Sequence, residues 1–239
     1  MGEPTHNLAI ETSSRVGSVS LGCGDTLLES ASLGEPMRHN TDLMPTIDRL
    51  CAAHRVSPRD LGEVYISIGP GSFTGLRIAV TVAKMFSRAL GSHIVAVPSL
   101  DVVAENAPAD CRLVAVCLNA KRGQCFTGVY ERNGDTWRLR IGPSLLTPAE
   151  LCDAAARPFG VIGDHLPEHD WPADVTLMNA ELATPQSTVV WRLGRERANR
   201  GEFADPMQLV PLYVRLAEAE EKWRNAQETD TTESPAIHS

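Results

Sequence analysis

Three stretches of this sequence hold residue types that could do chemistry. Gly69-Pro70-Gly71-Ser72-Phe73-Thr74-Gly75 stands between an apolar strand pattern and a long helix pattern. Backbone amides in a glycine turn at a helix N-terminus can bind anions, helped by the helix dipole. Gly69, Gly71, Ser72, Thr74 and Gly75 are therefore candidate phosphate contacts. The spacing is neither G-x-G-x-x-G nor a P-loop, since no Lys-Ser/Thr follows and Arg77 does not replace the missing lysine. The competing reading, which the spacing favours, is a tight strand-to-helix connection that needs glycine torsions. Glu11-Thr12-Ser13-Ser14 is the second stretch. Its hydroxyls and turn amides could touch a phosphate, and Glu11 could hold Mg²⁺ through water. Its plainer role is a turn whose Ser and Thr satisfy their own backbone. Third, His165-Leu166-Pro167-Glu168-His169 spells the zinc-protease string H-x-x-E-H. That string needs a helix, and Pro167 with Asp170-Trp171-Pro172 argues against one, so no metal is expected. The remaining histidines make no other i, i+4 pair. Lys121-Arg122-Gly123 is a small basic turn, more often a solvated hairpin than a site.

The elements that must position these residues repeat one grammar. Strands are expected at about Leu8–Glu11, Val16–Leu21 and Thr26–Ser32, separated by short turns that favour antiparallel neighbours. A helix follows near Thr41–His54, with Pro45 in its first turn. Then come a strand at Val64–Ile68, the glycine loop, a helix at Gly75–Leu90, the strand His93–Val97 and a helix opening at Ser99. The second half offers strands at Leu113–Leu118, Cys125–Glu131 and Trp137–Ile141, the last two joined by the turn signal Asn133-Gly134-Asp135. Thr147-Pro148-Ala149-Glu150 is a capping box with proline at the first helical position. A strand at Gly160–Ile162 follows, then a helix opened by Thr184-Pro185 and ending near Asn199. Three antiparallel strands followed by alternating helix and strand, twice over, define an α/β chain of two similar lobes, each a mixed sheet with flanking helices. The lobes are placed at 1–106 and 107–223, with the helix 185–199 able to pack back on the first.

Bulk composition excludes several classes of function. The chain has 239 residues and a formal charge of −8, so it lacks the basic excess with which a protein holds nucleic acid by itself. Half of that charge lies after Ala217, where six acids face Lys222 and Arg224. The segment 224–239 is expected to be disordered. The six cysteines form no C-x-x-C pair, which suits free thiols in a reducing cytoplasm. Neither a leader nor a membrane span is expected, and His6 stands where the myristoylation pattern wants Ser or Thr.

Four blocks carry a resemblance: AIETSSRVGSVSLG from Ala9, ISIGPGSFTGLRIAVTVAKMFSRALGSHIVAVPSLDVVA from Ile66, NAKRGQCFTGVY from Asn119 and PLYVRLAEAEEKW from Pro211. Together they resemble the bacterial TsaB (YeaZ-like) family, up to about Trp223. The resemblance implies two actin-like ATPase (ribonuclease H-like) lobes. It also implies a TsaD-like catalytic subunit as partner, one that forms N6-threonylcarbamoyladenosine at position 37 of tRNA, joined by a TsaE-like small ATPase. On that reading the chain is a non-catalytic scaffold, a cytoplasmic homodimer when alone, which meets tRNA only indirectly and has no membrane role. It carries no catalytic residue and no metal, and it binds no cofactor alone, ATP or ADP being confined to an interface with a partner. TsaD-type catalysis holds its metal with a helical histidine pair that this sequence lacks. Two departures concern nucleotide or metal chemistry: Asn119 and Glu11 stand where aspartate is frequent. The alternative is a stand-alone actin-like-fold ATPase or phosphotransferase, which needs a base that the sequence does not identify.

The resemblance also gives the Gly75–Leu90 helix a role. Arg77, Thr81, Lys84 and Arg88 form one narrow polar stripe. One apolar flank holds Ile78, Val82, Met85 and Ala89, the other Leu76, Ala79, Val80, Ala83 and Leu90. A helix lying on its own sheet needs only one apolar stripe. The family associates through this helix and the preceding one, so the expected partner surface comprises Leu43, Met44, Ile47, Leu50, Leu76, Ile78, Ala79, Val80, Val82, Ala83, Met85 and Phe86. Spacing alone leaves open which flank faces outward.

Overall fold

A computed structural model of the chain describes residues 5–34, 39–164 and 166–214. His165 and the acidic tail therefore lie outside the described residues. The first lobe opens with β1 (His6–Glu11), β2 (Ser18–Cys23) and β3 (Thr26–Ser32), paired antiparallel in sequence. Helix α1 (His39–Ala53) crosses to β4 (Leu61–Ser67), α2 (Phe73–Leu90) to β5 (His93–Val97), and α3 (Ser99–Ala104) leaves toward the second lobe. Both β1–β4 and β4–β5 are parallel pairs, giving the order β3-β2-β1-β4-β5.

The second lobe repeats the plan. Strands β6 (Leu113–Asn119), β7 (Cys125–Asn133) and β8 (Thr136–Leu146) form the antiparallel half, α4 (Pro148–Ala154) crosses over, and β9 (Phe159–Gly163) and β10 (Val175–Leu177) add in parallel. The order β10-β9-β6-β7-β8 is the first sheet's order read from the other edge. Between β9 and β10, where the first lobe has the 18-residue α2, the only helical element among the described residues is a three-residue 3₁₀ turn, Leu166–Glu168.

Several boundaries are corrected. Helix α1 starts at His39, so Pro45 falls in its second turn and removes an interior hydrogen bond to the carbonyl of Thr41. Strand β8 runs five residues beyond Ile141, to Leu146, because β7 is long enough to pair with it as far as Cys125. The last helix, α5 (Ser187–Asn199), begins after Pro185, with Gln186 at its N-cap position. The capping box at Thr147 and Glu150 forms in both directions.

Helix α5 follows the second sheet in sequence yet lies on the first, against β1, β2, β4 and β5. Its close approach rests on two glycines. A Cβ on Gly194 would stand 2.4 Å from the Tyr65 ring, and one on Gly22 would stand 2.3 Å from the Trp191 indole. The Trp191 indole N–H donates to Asn7 Oδ1, Ser187 N–H donates to Ser18 Oγ, and Arg195 pairs with Asp25 and Glu63. The other face of that sheet carries α1 and α2 over a core of Leu8, Ile10, Leu43, Ile47 and Leu50.

Candidate functional site

Strand β1 delivers Glu11 to the mouth of the first lobe, and the glycine loop after β4 closes over the turn that follows it. The structure thus brings Glu11–Ser14 and Gly69–Gly75 together. Ser72 N–H donates to Ser13 O at 2.7 Å, and Thr12 Oγ1 donates to Gly75 O at 2.8 Å. Gly75 N–H donates to Ser72 Oγ, the cap of α2, and Ser99 N–H donates to Gly69 O. A Cβ at Gly75 would lie 1.8 Å from Thr12 O, and one at Gly71 would lie 2.3 Å from Ser13 O. These glycines let the loop lie on the turn at backbone contact distance. The Ser72 and Gly75 amides that a phosphate would need are already bonded within the chain. Ser14 Oγ donates to Val16 O, as in a turn that satisfies itself, and Thr74 is exposed.

Glu11 is fully buried. One carboxyl oxygen accepts from Ser13 N–H at 2.5 Å and the other is bonded to the Ser67 hydroxyl. Burial pushes this carboxyl above its ordinary value, while hydrogen bonds from Ser13 and Ser67 and the charge of His39 pull it back. Both oxygens are held inside the chain, so the geometry does not fit the Mg²⁺ role considered for Glu11. Among the described residues no group of three or more His, Cys, Asp and Glu is placed to hold a metal. His169 follows the 3₁₀ turn rather than lying on a helix, so the zinc-protease string has no shared helical face. Nor is any described helix long and apolar enough to cross a membrane.

Between the lobes runs a cleft of about 790 Å³. One wall is the β1–β2 turn and the glycine loop; the other is the end of β6, the β6–β7 turn and Asp164 after β9. Asn119 N–H donates to Asp164 Oδ1 at 2.6 Å, and Lys121 N–H donates to Asn119 Oδ1. Asn119 therefore acts as a turn-former. Lys121, Arg122 and Gly123 all have positive φ, and Gln124 N–H closes the turn onto Lys121 O. At the cleft mouth the Phe73 and Tyr213 rings lie 5.2 Å apart, with the Arg77 guanidinium 4.2 Å over Phe73 and bonded to the Tyr213 hydroxyl. Sequence reasoning missed this cluster, because Tyr213 stands 136 residues from Arg77.

The two flanks of α2 are now distinguished. Leu76, Ala79, Val80, Ala83 and Phe86 are buried in the first-lobe core, as are Leu43, Ile47 and Leu50 of α1. Those eight expected surface residues are corrected to core. Both helices lie on the sheet, and one apolar stripe from each is spent there. What remains outward is Met44 and Met85, 41% and 46% exposed, with Ile78 and Val82 half-buried.

Two similar lobes, each a five-stranded mixed sheet with flanking helices, face each other across the cleft. The first-lobe loop is closed by its own backbone. A family model described as TsaD, tRNA N6-adenosine threonylcarbamoyltransferase, matches residues 36–187. The chain is 31% identical over 234 residues to the tRNA threonylcarbamoyladenosine biosynthesis protein TsaB of Bacillus subtilis, covering 92% of this chain and 98% of that one. The TsaB of Escherichia coli is 26% identical over 144 residues, 59% of this chain and 62% of its own. YeaZ from Pseudomonas aeruginosa superposes with a TM-score of 0.74 at 26% identity, covering 87% of this chain and 99% of that one. The chain belongs to the TsaB family.

Proposed function

We propose that this chain is the accessory subunit of the machinery that forms N6-threonylcarbamoyladenosine at position 37 of tRNA, and that it acts by binding a TsaD-like subunit. The observation that carries this reading is the 31% identity, over nearly the full length of both chains, to a protein named for that biosynthesis. The outward face of α1 and α2 supports it, since Met44 and Met85 stand exposed there beside the half-buried Ile78 and Val82. The same face serves a homodimer when the chain is alone, and a TsaE-like ATPase joins the heteromeric complex in the cytoplasm. Any ATP or ADP belongs to an interface with the partner. A chain with a formal charge of −8 meets tRNA through that partner. The stand-alone ATPase reading would require a carboxylate acting as base beside the nucleotide; Glu11 is bonded on both oxygens, and Asp164, which lines the cleft, holds the Asn119 amide through Oδ1.

The test is a mass measurement of the purified chain with and without a TsaD-type subunit, coupled to a reconstituted tRNA modification assay. A heteromeric complex and a modification yield that depends on this chain are expected. Free subunits at micromolar concentration, or full yield without the chain, would refute the reading.

A further inference from the structure

Helix α3 is shared by the two lobes. Its Leu100, Val103 and Ala104 pack in one core with Val114, Val116 and Ile162 of the second sheet, while Val102 packs with Tyr65, Val95 and Val190 on the first sheet and α5. The chain passes between the lobes at 105–112 and again at 184–186, and Asn106 ties the two crossings together by donating to Leu182 O and Thr184 O. Of the six α3 residues, Asp101 alone is not buried. One of its carboxyl oxygens accepts from the Tyr130 hydroxyl of β7 at 2.9 Å, and the other accepts from the Arg197 guanidinium of α5 at 2.8 Å. Tyr130 is buried in the second lobe, and Arg197 is anchored to the first sheet by a further bond, to Ala96 O of β5. One carboxylate thus joins a side chain from each lobe.

We propose that Asp101 is the pin that fixes the angle between the lobes, and with it the width of the interlobe cleft. Apolar burial of α3 holds the lobes together, but it is non-directional and lets one lobe slide on the other. Hydrogen bonds weaken steeply with angle, and those to an ionised acceptor are the strong ones. A carboxylate bonded on its two oxygens to groups of opposite lobes therefore selects one orientation. At the head of the same helix, Ser99 N–H donates to Gly69 O and Ser99 Oγ accepts from Gly69 N–H. The pin is thereby tied to the root of the glycine loop, and α3 is the block about which the second lobe turns when the pin is drawn.

Spin labels in the full-length chain test this, carried as unnatural amino acids in place of Arg88 on α2 and Arg138 on β8, both exposed and in opposite lobes. Double electron–electron resonance should give the parent one narrow distance distribution. Tyr130→Phe removes one hydroxyl and keeps the ring in its core, and Asp101→Ala removes both bonds. Both variants should lose the narrow peak and give a broad distribution, while keeping the far-UV circular dichroism of the parent. Tyr65→Phe is the matched control, because the Tyr65 hydroxyl donates to Glu63 inside the first lobe. It should keep the narrow peak. If Asp101→Ala does not fold, Tyr130→Phe decides alone. A broad distribution in the parent overturns the proposal, as does a narrow one in either folded variant. Equal broadening in Tyr65→Phe also overturns it, since loss of any buried hydroxyl bond would then suffice.

Discussion

The two lobes share a strand plan but spend it differently. In the first, β4 and β5 are joined by α2, whose N-terminus comes down on the β1–β2 turn until backbone meets backbone. In the second, the equivalent strands β9 and β10 are joined through a 3₁₀ turn, and the β6–β7 turn is left open to the cleft. A glycine-rich strand-to-helix loop is thus not in itself a ligand site. Here it locks one lobe's turn, whereas the other lobe's turn lines the cleft. Among the described residues, only the first lobe's crossover between these strands is a helix long enough to bury one flank and offer another.

The largest effects should fall on that helix. Leu76→Glu places an unpaired charge in the first-lobe core and should cost about 3–5 kcal/mol, enough to abolish the thermal transition. Met85→Glu, at an outward position 46% exposed, should melt near the parent temperature and fail to bind a TsaD-like subunit by size-exclusion chromatography. If Met85→Glu folds and still binds, the partner surface is elsewhere.

Glycine replacements sharpen the contrast between lobes. Gly75→Ala drives a Cβ into the Thr12 carbonyl and should destabilise by about 3 kcal/mol or more. Gly123→Ala, in open space at φ +72°, should cost only about 1 kcal/mol. Equal losses in denaturant titrations would show that the first-lobe loop is not locked.

Glu11→Gln probes the locked turn by pH. Because the folded-state pKa of Glu11 lies above its ordinary 4.5, the folded chain binds the proton more tightly than the unfolded chain. Its contribution is fully present below 4.5 and declines as pH rises through the folded value. The variant should therefore melt higher than the parent at pH 8, with the gap closing toward pH 4. A gap that widens on acidification would show that the carboxylate is held ionised.

The smallest effect belongs to the open turn. Arg122 and Gly123 both have positive φ at the centre of the β6–β7 turn, a setting that favours Asn-Gly. Arg122→Asn should raise stability by at most about 1 kcal/mol, read as a small rise in melting temperature.

Much of this architecture was legible in local sequence. Strands β3 and β5 and the capping box of α4 stand where turn chemistry and local composition place them, because turns and cap hydrogen bonds are satisfied within a few residues. The repeated element order announced two lobes for the same reason. Contacts between distant segments were decided only in three dimensions. The α2 helix is apolar on both flanks, and its inner one is defined by where the sheet and α1 lie. Gly194, a costly residue inside α5, was the one local sign that this helix seats on Tyr65, 129 positions earlier in the chain. The glycine loop could have cradled an anion or packed on a turn. Glycine supplies the freedom for either, and the carbonyls of Thr12 and Ser13, brought up by β1, decide for packing.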